Sequence, residues 1–112
     1  FYGGLLESFV VMECYKHMMW AKETMNLYHF RDKRKNEVDI VLEQADGRLI
    51  GIEVKASNTI RKNDFKGLKK LAELTMNQFK FGIVFYTGSR LMPFGDDSNL
   101  YFAVPLSIII RV

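Results

Sequence analysis

The stretch NEVDIVLEQADGRLIGIEVKA, residues 36–56, contains two segments in which apolar and polar side chains alternate. Because successive side chains of a strand point to opposite faces, this alternation predicts two β-strands, 37–43 and 49–56. Between them, Ala45-Asp46-Gly47 has the composition of a tight turn. The stretch therefore predicts an antiparallel hairpin with an apolar face that carries Val38, Ile40, Leu42, Ile50, Ile52 and Val54.

The length of the turn decides which residues face each other across this hairpin. A two-residue loop would pair Asp39 with Val54 and mix charged and apolar side chains on both faces. A three-residue loop that ends in a left-handed Gly47 is also common. It pairs Asp39 with Glu53, and its further pairs are Glu37 with Lys55, Val38 with Val54, Ile40 with Ile52, and Leu42 with Ile50. Because apolar residues then face apolar residues, the sequence predicts the three-residue loop.

The same register places charged side chains together on one face. Directly opposite residues have Cβ atoms roughly 4.5–5.5 Å apart, so the carboxylates of Asp39 and Glu53 would repel each other. A divalent cation would remove this repulsion, and oxygen ligands favour Mg²⁺ or Mn²⁺ over zinc. Lys55 follows on the same face, within reach of the same ligand. The alternative is a surface ladder of the charged residues Glu37, Asp39, Glu53 and Lys55 on a sheet with one solvated face.

The flanking segments predict an α/β domain with a mixed central sheet. Residues 5–21 have apolar side chains at helical spacing and predict a largely buried helix, which includes Glu7. Further strands are predicted at 27–31, 81–86, 90–94 and 100–104, and a second helix at 64–76 with Asn63 as its N-cap. The apolar run 81–86 is typical of a central strand, which completes a βαβ unit. Pro105 is expected to open a final helical turn. The predicted order is αβββαβββ.

Length and composition are those of one globular domain, residues 1–112. The chain has 112 residues, of which 48% are hydrophobic and 26% charged, so it can bury a core unaided. No apolar run approaches the ~18 residues of a membrane span, so no membrane partner is expected. A single cysteine, Cys14, favours a reducing, cytoplasmic setting. The start, Phe1-Tyr2-Gly3-Gly4, lacks both an initiator methionine and a signal peptide, which indicates a piece of a longer protein.

The net charge of +3 is unevenly distributed. One basic cluster lies at residues 31–35 and a second at residues 61–70, on either side of the carboxylates in sequence. Two such clusters around a carboxylate site would suit a polyanion such as nucleic acid. The alternative is the tip of a hairpin and the solvated face of a helix.

Longer motifs give the chain a family resemblance. Asn36-Glu-Val-Asp39 and Gly51-Ile-Glu-Val-Lys-Ala56 have the spacing of the PD-(D/E)xK nuclease superfamily, with Val38 in place of its proline. Together with Gly4-Leu-Leu-Glu7, Phe30-Arg31-Asp32, Asp64-Phe-Lys-Gly-Leu-Lys69, Gly82-Ile-Val, Tyr86-Thr-Gly88 and Ala103-Val-Pro105, they resemble the uncharacterised C-terminal domain of bacterial and archaeal AAA-type ATPases. The resemblance covers nearly the whole chain and implies a restriction-endonuclease-like core.

The resemblance also implies a site. Asp39, Glu53 and Lys55 would be catalytic, with Glu7 reaching in from the first helix. Mg²⁺ or Mn²⁺ would be bound by Asp39, Glu53 and the backbone carbonyl of Val54. Basic residues would hold the DNA backbone without contacting bases, namely Arg31, Lys62 and Lys66. The implied partners are DNA and an N-terminal ATPase. The chain itself contains no G-x-x-x-x-G-K-[ST] motif, so no ATP chemistry is assigned to its residues.

Three hypotheses for the function follow. The first is a metal-dependent nuclease, which the intact Asp39, Glu53 and Lys55 favour. The second is a catalytically silent domain of the same fold that serves as an interaction arm of the ATPase, favoured by the lack of further ligands after Lys55. The third is an adaptor that recognises another protein. Zinc binding is disfavoured, because the residues that could suggest it lack paired ligand spacing: Cys14, His17 and His29.

Overall fold

A computed structural model describes residues 26–95 and 100–109. The described strands are β1 (Asn26–Arg31), β2 (Glu37–Glu43), β3 (Leu49–Val54), β4 (Phe79–Tyr86), β5 (Met92–Phe94) and β6 (Tyr101–Pro105). One α-helix, α1 (Lys66–Thr75), lies between β3 and β4, and 3-10 turns occur at Lys62–Phe65, Met76–Gln78 and Leu106–Ile108. The helix predicted at 5–21, and with it Glu7, lies outside the described residues.

The six strands form one mixed sheet in the order β1-β2-β3-β4-β6-β5. Strand β4 pairs in parallel with both β3 and β6, whereas the other neighbours are antiparallel. The predicted α/β class and mixed sheet are therefore confirmed. The β3–α1–β4 segment is the predicted βαβ unit. Strand β4 is central, and its residues enter hydrophobic clusters on both faces of the sheet, as its unbroken apolar run predicts.

Helix α1 covers one face of the sheet. Its apolar side chains recur at helical spacing, so Leu68, Leu71 and Ala72 are buried against the sheet together with Phe65 from the preceding turn. The opposite face carries a second cluster: Ile40, Leu42, Ile50, Ile52, Phe85, Val104 and Leu106. In the described part of the chain, no helix is long and apolar enough to cross a membrane.

Gly67 allows the first turn of α1 to approach β2 closely. A Cβ at this position would lie 1.9 Å from the backbone oxygen of Glu37. No side chain fits in that space, because real Cβ contacts are far longer. Because glycine has no side chain, Gly67 lets the start of α1 lie directly beside the start of β2, where the candidate site lies.

The predicted N-cap of the helix is wrong. Asn63 lies inside the 3-10 turn Lys62–Phe65, and Phe65 precedes the first residue of α1. The chain begins to turn at Arg61, whose N–H donates to Asp64 Oδ2 at 2.7 Å. The Asp64 N–H donates in turn to the Arg61 carbonyl at 3.0 Å. Asp64, rather than Asn63, supplies the side chain that stabilises this start.

The other ends differ slightly from the prediction. Strand β3 ends at Val54, and β5 begins at Met92 instead of Arg90. The backbone of Arg90 bonds to the hydroxyl of Tyr86 instead, as donor at 3.2 Å and as acceptor at 2.5 Å. Pro105 ends β6 and directly precedes the predicted final turn, Leu106–Ile108.

Candidate functional site at the end of the hairpin

The β2–β3 hairpin has the predicted three-residue loop. Its ladder pairs Glu43 with Leu49, Leu42 with Ile50, Val41 with Gly51, and Ile40 with Ile52. In the turn, the Gln44 N–H donates to the Arg48 carbonyl at 2.9 Å. Gly47 has φ +83°, the left-handed conformation that glycine adopts at little cost. The predicted register is confirmed over this part of the hairpin.

Beyond Ile40 and Ile52, side chains replace the backbone ladder. Glu53 Oε1 accepts the backbone N–H of Asp39 at 2.6 Å, and Asp39 Oδ2 accepts the backbone N–H of Val54 at 2.8 Å. Each carboxylate thus bonds to the opposite strand, and the two acidic side chains lie together between β2 and β3. The residues predicted to extend the ladder here do not form ladder pairs: Asp39 with Glu53, Val38 with Val54, and Glu37 with Lys55.

A β-bulge in β2 lies at the same place. Tyr28 of β1 pairs with Val41, but Phe30 pairs with Val38, so Asp39 and Ile40 together face His29 alone. The extra residue reverses the alternation, and Val38 therefore packs in the cluster under α1. The prediction that Val38 shares a face with Ile40 and Leu42 is wrong for this reason.

His29 contacts both sides of the bulge. Its Nδ1 lies 3.2 Å from the backbone oxygen of Asp39, and its Nε2 lies 3.0 Å from Glu37 Oε1. In the sequence, His29 stands out only as a disfavoured zinc ligand. Its contact with Asp39 depends on the bulge, which the alternation of β2 does not reveal.

Lys55 is held by Asp64. The ammonium nitrogen of Lys55 lies 2.6 Å from Asp64 Oδ1, and the side chains of Lys55 and Asp64 are 33% and 17% exposed. The other oxygen of Asp64 accepts the Arg61 N–H. This ion pair joins the end of β3 to the turn before α1. Asp64 stands in the sequence motif Asp64-Phe-Lys-Gly-Leu-Lys69, but no pattern in the sequence indicates its pairing with Lys55.

A cleft of about 340 Å³ opens beside these residues. It is lined by three residues of the predicted site, Glu53, Val54 and Lys55, and by Asp64 and Lys66. The other lining residues are Lys35, Asn36, Glu37, Asn63, Gly67 and Val84. The cleft therefore combines carboxylates with three lysines at one end of the sheet.

The predicted DNA-binding residues are only partly brought together. Lys66 lines this cleft, and Lys62 lines an adjoining depression. Arg31 lies at the end of β1, paired with Glu37, and lines neither depression.

The turn between β1 and β2 forms one wall of the cleft. Asp32 accepts the N–H groups of Arg34 and Asn36 at 2.9 and 2.8 Å, and the side-chain amide of Asn36 at 2.9 Å. The hydrogen bond from the Asn36 side chain is the largest of the effects that hold the pKa of Asp32 below its usual value. Asn36 is only 7% exposed, and it lines the cleft. Among the described residues, its Oδ1 is the buried side-chain atom without a hydrogen-bond partner.

The donor atoms at this end suit a hard cation. They are carboxylate oxygens of Asp39 and Glu53 with the nearby backbone of Val54. Residues 26–95 and 100–109 hold no group of three or more His, Cys, Asp or Glu side chains arranged for a metal. Mg²⁺ is commonly bound through one or two carboxylates and retains several waters, so two carboxylates fit Mg²⁺ better than zinc, which takes three or four protein ligands.

Fold and site together define an α/β domain with a mixed six-stranded sheet and a cleft of carboxylates and lysines beside its central strands. The chain belongs to the domain of unknown function family DUF4143, whose family model matches residues 2–109. No curated protein sequence matches the chain.

A solved structure has a similar fold. It is a half-complex from a tetradecameric assembly of Thermococcus gammatolerans McrB AAA+ hexamers with bound McrC. The TM-score to a chain of that assembly is 0.69 at 10% sequence identity, over 93% of this chain. The match covers 28% of the other chain, so this domain corresponds to a minor part of that protein.

Proposed function

We propose that this domain is a metal-dependent, nuclease-like module with a restriction-endonuclease-like core, which hydrolyses phosphodiester bonds in DNA. The observation that carries the proposal is the pair of reciprocal bonds at the end of the hairpin. Asp39 and Glu53 each hold the backbone of the opposite strand, so the two carboxylates lie together between β2 and β3. Glu53 also lines the cleft. Fixing two acidic groups together is costly unless a cation is bound there.

In this proposal Asp39, Glu53 and the Val54 carbonyl hold Mg²⁺ or Mn²⁺. The ion, when bound, lowers the pKa of a coordinated water and neutralises phosphate charge in the transition state. The backbone bonds of Asp39 and Glu53 set the direction of each side chain before a ligand binds. Glu7 is assigned a supporting role in the same site on the sequence motif alone.

Lys55 is the cation proposed to contact the scissile phosphate. Its ammonium lies in the cleft, where Asp64 holds it at 2.6 Å. A second donor of this ammonium would bind a phosphate oxygen and stabilise its developing negative charge. Lys62 and Lys66 would hold the DNA backbone on the side of α1, and Arg31 would contribute from the end of β1.

We further propose that the domain works as part of an AAA-type ATPase. Two observations support this: the sequence resembles the C-terminal domain of such ATPases, and the similar solved chain comes from an assembly of McrB AAA+ hexamers with bound McrC. The match covers 28% of that chain, so most of the similar chain lies outside the matched part.

The test is calorimetric titration of Mg²⁺ and Mn²⁺ into the domain and into Asp39→Asn and Glu53→Gln. Both substitutions remove a charge but keep an oxygen that can accept the backbone N–H. Asp46→Asn is the matched control, because Asp46 accepts the Arg48 N–H in the hairpin turn, at the other end of the ladder. We expect binding to be lost in both site variants and unchanged in the control.

Metal binding would then justify nuclease assays on single-stranded, duplex and branched DNA. Loss of cleavage in Lys55→Gln, with metal affinity retained, would support the role of Lys55. Unchanged metal binding in Asp39→Asn and Glu53→Gln would contradict the proposed site.

The second candidate function is a catalytically silent domain of the same fold, acting as a DNA- or protein-interaction arm of the ATPase. The Lys55–Asp64 ion pair favours it, because it neutralises the cation that catalysis would use. Metal binding without cleavage of any DNA substrate, in a chain joined to its ATPase, would select this candidate.

A further inference from the structure

A second depression adjoins the cleft along helix α1. It has a volume of about 470 Å³, and we call it the lysine groove. Four of its lining residues are lysines: Lys62, Lys66, Lys69 and Lys70. It shares Asn36, Asn63 and Lys66 with the cleft, so the two depressions form one continuous surface.

The four lysines form one stripe because of their spacing. Lys66 follows Lys62 by four residues, and the neighbouring Lys69 and Lys70 follow Lys66 by three and four, which is about one helical turn in each case. The 3-10 turn Lys62–Phe65 runs directly into α1. Four lysines face one acid in the groove, Glu73, which lies 3.6 Å from the Lys70 ammonium. The positive end of the α1 dipole lies at Lys66 and adds to this charge. The groove is therefore strongly basic where it meets the cleft.

Among the described residues, no aromatic ring and no apolar side chain lines the groove. Its described lining consists of lysine, asparagine and glutamate side chains only. Three aromatic rings line a separate, neighbouring depression, which shares Lys62, Lys69 and Glu73 with the groove. There Phe65 stacks on Phe94 with 4.8 Å between ring centroids, and Tyr101 meets Phe65 edge-on at 6.0 Å. Single strands are usually bound with aromatic stacking, and protein partners with apolar anchors. A groove that is lined by lysines, without aromatic rings or apolar anchors, is suited to bind a phosphate backbone.

We infer that the lysine groove binds the phosphodiester backbone of nucleic acid independently of base sequence and leads one strand into the cleft. This assigns Lys69 and Lys70, in addition to Lys62 and Lys66, to phosphate binding. The inference deepens the proposed function and rests on it for the direction of the strand, but phosphate binding by the groove can be measured without metal or cleavage.

The experiment is the salt dependence of binding of the whole chain to a labelled DNA duplex, with EDTA present. The variant Lys69→Gln/Lys70→Gln removes two groove charges. The control Arg48→Gln/Lys80→Gln removes two charges near the hairpin turn, where Lys80 contacts Gln44. Each phosphate contact contributes about −0.9 to the slope of log K against log salt concentration. We expect the groove variant to have a slope shallower by about 2 and an affinity lower by on the order of tenfold at low salt. The control should retain the native slope.

Base sequence and partner class are tested in the same assay. A second duplex of scrambled sequence should bind equally well. A clear preference for one sequence, or an equal slope in the native chain and the groove variant, would overturn the inference. Tighter binding of poly-glutamate than of DNA at equal charge would assign the groove to an acidic protein and also overturn it.

Failure of the proposed function has a different signature. In one outcome, neither the native chain nor Asp39→Asn binds Mg²⁺, and only the groove variant loses DNA binding. The cleft then has no metal site, but the groove binds nucleic acid. If the groove variant binds Mg²⁺ normally and also binds DNA normally, the groove inference fails while the metal site stands.

Discussion

The two ends of the β2–β3 hairpin are built differently. At the turn end, residues 40–44 and 48–52 are joined by a regular antiparallel ladder and a loop with a left-handed glycine. At the open end, Asp39 and Glu53 replace the ladder with side-chain bonds to the backbone. The turn end uses backbone groups that every residue has, so it tolerates many sequences. The open end uses particular carboxylates, so its geometry depends on their identity.

This difference supports the open end as the place of the candidate site. A bulge, the end of the backbone ladder, a charged cleft and the start of α1 all lie at the open end. A bulge and an interrupted ladder leave fewer backbone hydrogen bonds between the strands than a regular ladder would. Such features are concentrated at functional sites, where they direct side chains toward a ligand.

The largest expected effect comes from filling the close approach at the open end. Gly67→Ala places a Cβ 1.9 Å from the backbone oxygen of Glu37, which cannot move without shifting β2 or α1. Alanine gains up to about 1 kcal/mol in helix propensity, but overpacking against backbone costs about 3 kcal/mol or more. We expect a net loss of at least about 2 kcal/mol in the free energy of unfolding, measured by urea denaturation.

Gly51→Ala is the matched variant in the regular part of the hairpin. Its Cβ would lie 2.4 Å from Leu68 Cδ2, the end of a side chain that can change rotamer. We expect a smaller loss, about 1–2 kcal/mol. Equal losses in both variants would show that the approach of α1 to β2 is no tighter than its packing on β3.

Two variants of Glu53, with an expected difference in stability of intermediate size, test the side-chain hydrogen bonds at the open end. Glu53→Ala and Glu53→Gln remove the same charge, but only glutamine keeps an acceptor for the Asp39 N–H. Because an unpaired, partly buried N–H is costly, we expect the alanine variant to be less stable than the glutamine variant by about 1–2 kcal/mol. Thermal and urea unfolding in EDTA would measure this difference.

At the turn end, the same comparison of variants should give only a small difference in the free energy of unfolding. Asp46 accepts the exposed N–H of Arg48, which water can also satisfy. We expect Asp46→Ala and Asp46→Asn to differ by less than about 0.5 kcal/mol. A difference as large as that at Glu53 would mean that the two ends depend on side-chain bonds to the same degree.

The smallest effect is expected in the pH dependence of stability. The pKa of Asp32 is lowered in the folded state, chiefly by its hydrogen bond from Asn36. Its stabilising contribution is therefore fully present above the unfolded value of 3.8, and it is lost as the pH falls through the lower folded pKa. Asp32→Asn should make the acid side of the stability curve shallower between pH 5 and pH 2. An unchanged curve would show that the wall of the cleft does not depend on this carboxylate.

Much of the fold is predictable because it depends on local patterns. Alternation at a period of two gave the strands β2 and β3, and Gly47 with opposed apolar residues gave their register. The apolar run 81–86 gave a central strand, and helical spacing gave the buried face of α1. These features need only neighbours along the chain or across one turn, so the sequence alone determines them.

The details of the site depend on distant contacts. The bulge at Asp39 and Ile40 moves Val38 to the other face, because β1 accommodates one residue fewer there. The Lys55–Asp64 ion pair joins the end of β3 to the turn before α1. The hairpin register predicted from the sequence pairs Lys55 with Glu37 instead.

The sequence therefore determined which residues carry charge and on which elements they lie. Only the tertiary structure decided how Asp39 and Glu53 bond across the strands, which carboxylate holds Lys55, and that the lysines of α1 continue the cleft. The physical reason is that alternation and helical spacing arise within one element. A cleft arises only where several elements meet. Here Gly67, which has no side chain, lets α1 lie against β2.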